Sequence, residues 1–294
     1  MPASARVVLA GLATYDVIHL VSRLPGADEK VAALDFVTAA GGPAANAAVA
    51  CAHLGSRPTL VTALPQHPVS ALIADDLAAC GVDLQIVAAY EGAPITASIM
   101  VTQATGERAV VSPTAAATEV PLAADREVDL DSVGAVLIDG YFRSLSLPIA
   151  RRARDRGIPV VLDAGSFKPY TDEVLGAVDV AVVSEAFTPP GTDGSPEAVF
   201  AYLRARGVMW SVITRGSAPI LYMCPAGSGE VAVPPVDGVV DSLGAGDFFH
   251  GALAHRLATL GLNDERFVQD LAFAARVVAE SLKTFGTREW LSGS

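Results

Sequence analysis

Positive charge is scarce in this chain: 20 Lys and Arg stand against 32 Asp and Glu, a formal net charge of −12. Nucleic-acid binding draws on clustered Lys and Arg to neutralise phosphates, so no nucleic-acid partner is expected. An anionic substrate would have to be held by local positive groups against the overall field. Charge of either sign makes up only 18% of the residues, which argues against long disordered arms. Cysteine is limited to Cys51, Cys80 and Cys224, whose spacing matches neither a metal site nor a disulfide framework. Three reduced packing cysteines in a cytoplasmic protein are the expectation. No apolar run reaches the roughly 18 residues that span a bilayer, so no membrane partner is expected. Residues 1–11 read as a short strand and not as a signal peptide. Internal repeats and low-complexity tails are missing. So is a Gly-x-x-x-x-Gly-Lys-Ser/Thr phosphate loop, which excludes a P-loop kinase. A nicotinamide dehydrogenase on a doubly wound sheet would need Gly-x-Gly-x-x-Gly after the first strand, and that is missing too.

Apolar residues are plentiful, 51% of 294, enough to bury both faces of a sheet in one large domain or two ordinary ones. Short apolar runs at 6–12, 59–64, 135–139, 159–163, 178–184 and 211–214 read as strands. Between and after them, 44–54, 69–80, 147–156, 196–206, 248–260 and 265–283 read as helices, several stopped by Gly. A hairpin is expected over 221–233. This alternation predicts an α/β fold: a mainly parallel sheet covered by helices on both faces. Two β-only stretches interrupt the rhythm, 15–40 and 93–114. Together they read as a small β-sheet lid built from two insertions, with 1–14, 41–92 and 115–294 forming the core. Ligands of an open α/β sheet bind beyond the carboxyl ends of its strands, and a lid there would exclude water.

Three constellations carry chemistry. The first is Asp241-Ser242-Leu243-Gly244-Ala245-Gly246-Asp247. Small residues open a helix, whose first N–H groups are unpaired and whose dipole favours anions. Gly244, Ala245 and Gly246 can thus hold a transferring phosphoryl group, and Asp247 can take a proton from an attacking hydroxyl. The alternative is a Gly-rich loop with Asp247 as a first-turn charge. The second is Gly41-Gly42-Pro43-Ala44-Ala45-Asn46. Here two glycines admit a ligand to the backbone and Asn46 offers a donor and an acceptor to sugar hydroxyls, or else bonds a neighbouring backbone. The third is Asp16, which follows the first strand and can accept two hydroxyl hydrogens from a polyol, or else forms a turn. Arg108, after the 103–107 connection, either reaches an anionic group or is a solvated charge. His250 and His255 are five residues apart, off the metal-ligand spacing of a helix face, and read as packing or solvent-facing residues.

Together these segments resemble the ribokinase-type (PfkB) carbohydrate kinase family. Gly41-Gly42 with Asn46 is similar to its Gly-Gly-x-x-x-Asn signature, and 241–247 to its Asp-Thr-x-Gly-Ala-Gly-Asp signature, with Ser242 in place of Thr. The resemblance implies a ribokinase-like fold and an ATP-dependent, Mg²⁺-assisted transfer to a primary hydroxyl of a small sugar. It makes Asp247 the base and Gly244, Ala245 and Gly246 the anion hole. Asp16, Gly42 and Asn46 fall at sugar-binding positions. Thr214, Arg215 and Gly216 lie near the nucleotide phosphates, and Ala275 and Gly286 lie around adenine. Ser184-Glu185-Ala186-Phe187 replaces the family's Asn-x-x-Glu segment, leaving Ser184 on the nucleotide side and Glu185 as a water-mediated Mg²⁺ contact. A monovalent cation is a further candidate, and a homodimer through the lid is implied. Within the family, 65–69, 75–77 and 81–83 are similar to ketohexokinase, and 42–45 and 249–253 to sulfofructose kinases, which makes the expected acceptor a ketose or modified ketose. Lys30 matches a lysine near the sulfonate in the latter, whereas Tyr141 and Ser112 stand where those enzymes carry Arg and Asn. The competing class is a catalytically silent sugar- or nucleotide-binding protein on the same scaffold, and its support is the altered 184–187 segment.

Overall fold

The computed structural model describes residues 4–113, 119–120 and 127–292. In chain order the strands are β1 (Arg6–Ala10), β2 (Thr14–Val21), β3 (Asp35–Gly41), β4 (Arg57–Ala63), β5 (Asp83–Ala88), β6 (Thr96–Thr102) and β7 (Arg108–Val111). They continue as β8 (Val133–Ile138), β9 (Val160–Ala164), β10 (Val180–Ser184), β11 (Trp210–Arg215), β12 (Ala218–Cys224) and β13 (Gly227–Val231). The helices are α1 (Pro43–His53), α2 (Pro68–Ala79), α3 (Arg143–Asp155), α4 (Thr171–Leu175), α5 (Pro196–Ala205), α6 (Ala245–Leu260) and α7 (Asp264–Ser281).

Nine strands form one sheet in the spatial order β13-β12-β11-β10-β9-β8-β1-β4-β5. Every pairing from β5 to β11 is parallel, and the β11–β12–β13 edge is antiparallel. Successive side chains of a strand point to opposite faces. Val7 and Leu9 of β1 accordingly join Ala135 and Leu137 of β8 in the core beneath α1, α6 and α7. Val8, Ala10, Val136 and Ile138 join the core beneath α3 and α5. Burial on both faces explains why these strands are continuous apolar runs.

β1 sits between β4 and β8, so the chain leaves it toward one side of the sheet and later returns on the other. That reversal is where an open α/β sheet offers a crevice. The helices beside it approach closely because they meet through small residues. α1 presents Ala44, Ala45, Ala47 and Ala48, all fully buried. α6 answers with Gly251, where a Cβ would lie 2.3 Å from the Ala47 carbonyl oxygen. The Cys51 thiol, 3.1 Å from the Gly251 carbonyl, closes the same seam.

β2, β3, β6 and β7 form a separate four-stranded sheet in the order β3-β2-β6-β7. The two insertions join through a parallel β2–β6 pairing, so neither could form this sheet alone. Its inner face packs Ile18, Ala97, Ile99 and Val101 on Phe285, just after α7. The boundary expected at 115 falls outside the described residues. Two elements went unread in the sequence, β5 and the five-residue α4. α3 also begins four residues ahead of the expected 147, because Pro148 is accommodated inside the helix instead of opening it.

Candidate active site

α6 begins at Ala245 on Gly244, which takes the left-handed conformation (φ 75°) that glycine adopts without cost. The first backbone bond of the helix runs from Phe248 N–H to the Gly244 carbonyl at 2.8 Å. The N–H groups of Ala245, Gly246 and Asp247 therefore lack acceptors within the helix, as a first turn requires. Asp241 fixes the approach to this turn. Its carboxylate accepts from Leu243 N–H at 2.8 Å and from Gly286 N–H at 2.9 Å.

Two cavities meet at this helix start. One, of about 130 Å³, is lined by Thr214, Gly216, Ala245, Gly246, Ala275 and Val278 among others. The other, of about 230 Å³, includes Pro43, Asp139, Tyr141, Asp163, Lys168 and Asp247 in its lining. Asp247 thus faces one chamber while the residues just before it face the other.

Asp247 is joined to α1 by Asn46, whose Nδ2 donates to Asp247 Oδ2 at 2.8 Å. Burial pushes the Asp247 carboxyl up to about 6, with Asp163 raising it further and Asn46, His250 and Arg108 opposing. Asp16 lies on the buried face of β2, where Thr14 Oγ1 donates to it at 2.6 Å. Gly41 makes the room for it: a Cβ there would fall 1.9 Å from Asp16 Oδ2. Burial raises Asp16 to about 6 as well. Gly42 caps α1 and its carbonyl accepts from Asn46 N–H at 3.0 Å.

Two buried carboxylates that line the larger cavity carry no sequence signal. Asp139, one residue past β8, accepts from the backbone N–H groups of Leu12 (2.8 Å), Tyr141 (3.0 Å) and Ala44 (3.2 Å). It ties the ends of β1 and β8 to the start of α1, and burial holds its carboxyl at about 7. Asp163, in β9, is 8% exposed and its Oδ2 has no hydrogen-bond partner among the described residues. Burial raises it to about 7. His250 Nδ1 lies 3.2 Å from that oxygen and 2.5 Å from the Gly246 carbonyl. A carbonyl only accepts, so Nδ1 carries the hydrogen. Burial lowers the His250 pKa and keeps the ring neutral. His255 bonds Ser56 instead, at 2.8 Å.

The remaining expected residues are spread more widely. Arg108, exposed at the start of β7, reaches the carbonyl and hydroxyl oxygens of Ser242 at 3.3 and 3.2 Å. Ser242 in turn donates its hydroxyl to the Gly106 carbonyl at 2.9 Å, so the β6–β7 hairpin of the small sheet clasps the segment before the helix. Thr214, Gly216 and Ala275 line the smaller cavity. Arg215 folds onto the Pro219 carbonyl of its own hairpin, at 2.6 and 2.8 Å. The Ser184 hydroxyl bonds the Gly165 carbonyl. Gly286 sits under Asp241 and 3.0 Å from Val37 Cγ2, were it given a Cβ. Glu185 and Lys30 are exposed, Lys30 on the connection between β2 and β3. Arg143 turns to Glu119 at 2.6 Å.

Known proteins share this architecture and its sequence. A family model described as pfkB family carbohydrate kinase matches residues 4–292. A ribokinase of Arabidopsis thaliana is 27% identical over 291 residues, covering 93% of this chain and 76% of the relative. A ribokinase of Bacillus subtilis is 26% identical over 294 residues, covering 96% and 94%. The solved structure of Arabidopsis thaliana ribokinase complexed with ribose and ATP superposes with a TM-score of 0.76 at 25% identity, covering 96% of this chain and 94% of that one.

Proposed function

Since the chain belongs to the pfkB family of carbohydrate kinases, we propose that it transfers the γ-phosphate of ATP to a primary hydroxyl of a small ring-form sugar, with Asp247 as the base. The observation that carries this reading is a carboxylate in the first turn of α6, set between two cavities that the turn separates. ATP occupies the Thr214–Gly216–Ala275 chamber, and its γ-phosphate meets the N–H groups of Gly246 and of Ala245, the latter now turned to the Ser242 carbonyl at a long 3.4 Å. Each such donor supplies about 2.7–4 kcal/mol of transition-state stabilisation. The sugar binds Asp16, Gly42 and Asn46 under the lid, with Lys30 and Arg108 of the lid serving any anionic substituent. Asn46 occupies one oxygen of Asp247, leaving the other for the acceptor hydroxyl. A carboxyl raised to about 6 is largely ionised at neutral pH and still basic enough to take that proton in the transition state.

Mg²⁺ suits this site on one observation: Asp163 Oδ2 is a buried, unpartnered hard oxygen beside Asp247. Asp163 would hold the ion with the ATP phosphates, with Glu185 contributing through water. When bound, Mg²⁺ neutralises phosphate charge. Every proton step stays with Asp247. A monovalent cation is a second candidate, read out by turnover in potassium against sodium salts. Phe36, Val110 and Val111 of the lid are 52%, 50% and 70% exposed, and we assign a homodimer contact to them. No helix among the described residues is long and apolar enough to cross a membrane.

For the acceptor, the short segments similar to ketohexokinase and sulfofructose kinases support a ketose, whereas relatives matched over most of the chain are ribokinases and put ribose beside it. ADP release over fructose, ribose, a sulfonated ketose, a keto-deoxy sugar acid and a nucleoside tests the reading. The expected result is sugar- and Mg²⁺-dependent ADP release, highest for a neutral ketose, with ribose as the competitor. Thermal stabilisation by a sugar and by ATP with no ADP release would instead establish the silent binding protein.

A further inference from the structure

Arg288 lies in the turn after α7, 242 residues from Asn46 in sequence, yet its guanidinium reaches the site from behind. It has five N–H bonds and no acceptor. Nε donates to Asp76 Oδ2 at 3.1 Å, and Nη2 donates to the same oxygen at 2.9 Å and to the Ala40 carbonyl at 2.6 Å. Nη1 donates to the Thr287 carbonyl at 3.1 Å and to Asn46 Oδ1 at 3.3 Å. Asp76 Oδ2 also accepts from Ala40 N–H at 3.0 Å, so both backbone groups at the root of lid strand β3 are held. The group that touches Asn46 is thus itself fixed from α2 and β3.

An asparagine amide can turn over and exchange its oxygen for its nitrogen. Asn46 cannot do so freely, because Arg288 on one side offers only hydrogens and the Asp247 carboxylate on the other accepts them. We propose that Arg288 is a positioning residue for the phosphoryl transfer: it locks the Asn46 amide with Nδ2 toward Asp247 Oδ2, and so holds the carboxylate with its other oxygen toward the acceptor. Without Arg288 the amide loses its acceptor-side partner and can present its own oxygen to the carboxylate, which turns the base away. The inference rests on Asp247 being the base. The Arg288 charge also reaches Asp16, where it opposes the effect of burial, whereas Asp247 adds to it.

The groups facing Asp247 are Asp163 from β9, Asn46 from α1, Asp16 from β2, His250 on its own helix and Arg108 from the lid. Arg288→Leu removes none of these groups but also loses the ties to Asp76 and Ala40, so the Asn46→Ala background is what isolates the part that acts through Asn46. The test measures kcat, KM for the sugar and the acid limb of kcat/KM for Arg288→Leu, Asn46→Ala and the double variant, with Asp247→Asn alongside. The expected loss in kcat for Arg288→Leu is about 10- to 100-fold, as for a misplaced reacting group. Its acid limb moves to higher pH because the hydrogen bond that favours the ionised carboxylate is no longer secured, and the loss largely disappears in the Asn46→Ala background. Equal losses in both backgrounds, or an unmoved acid limb, would overturn the proposal and leave Arg288 a structural tie. Should Arg288→Leu fold poorly, Arg288→Lys keeps the charge but cannot reach Asp76, Ala40 and Asn46 together, and wild-type kcat for it would equally refute the idea. Turnover retained by Asp247→Asn would instead refute the reading of Asp247, whatever Arg288 does.

Discussion

Replacing Gly251 by alanine should separate the two halves of the site. Alanine in a helix interior ordinarily stabilises by about 1 kcal/mol over glycine. Here the sign reverses, because the added Cβ would lie 2.3 Å from the Ala47 carbonyl oxygen and 2.8 Å from Ala47 Cα, both backbone atoms that no rotamer can clear. Ordinary contact begins at 3.4 Å, so α1 and α6 must part by about 1 Å. Overpacking of this kind costs roughly 1–3 kcal/mol. At about 2–4 °C per kcal/mol for a domain of 150–250 residues, Tm should fall by roughly 2–12 °C. Asn46 precedes Ala47 directly, and its 2.8 Å bond to Asp247 spans the same seam. A shift of about 1 Å at a reacting group is worth up to about 100-fold in rate. Calorimetry and steady-state kinetics on Gly251→Ala should therefore show a lower Tm together with a kcat loss larger than the KM change. A variant as stable and as active as the parent would refute the reasoning, since the helices would then not depend on this contact.

Acidity supplies a second prediction. Asp139 and Asp163 are raised to about 7, and Asp16 and Asp247 to about 6, all chiefly by burial. The folded state thus binds more protons than the unfolded one between pH 4 and 7, and stability should fall as pH rises through that window. Thermal melts of the ligand-free protein should give a higher Tm at pH 5 than at pH 8, and Asp163→Asn should flatten the slope; a Tm that climbs toward pH 8 would contradict the burial argument. Ala275→Phe fills the smaller cavity, so it should raise the KM for ATP at least tenfold while sugar-induced thermal stabilisation is kept, and an unchanged ATP KM would move the nucleotide elsewhere.

The parts of this site that are contiguous in sequence were legible there. Residues 244–247 announce a helix start through their small residues, while the choice of Asp247 as a base over a first-turn charge comes from the family resemblance. The α/β core follows from apolar runs that must be buried on both faces. The small separate sheet is readable as two insertions because its strands break the alternation. What stayed hidden depends on distant partners. Asp139 looks like any carboxylate after a strand until Leu12, Ala44 and Tyr141 converge on it. Arg288 has no local signature, since its partners lie on α2, β3 and α1. Polarity on an apolar helix leaves Asn46 either a sugar ligand or a structural amide, and the structure adds that one donor and one acceptor of its amide are already taken. β5 leaves no clear signal because, at the sheet edge, its residues are half-buried or exposed and a single one is buried.

The central claim is that Asp247 starts phosphoryl transfer beside the anion-binding turn of α6, and the direct test is turnover of Asp247→Ala with the best sugar acceptor and Mg²⁺-ATP. The account predicts a kcat lower by about 10²–10⁴, the range for losing a general base, with ATP binding by calorimetry and the folded state intact. A variant that binds ATP and turns over sugar at the parent rate would contradict it.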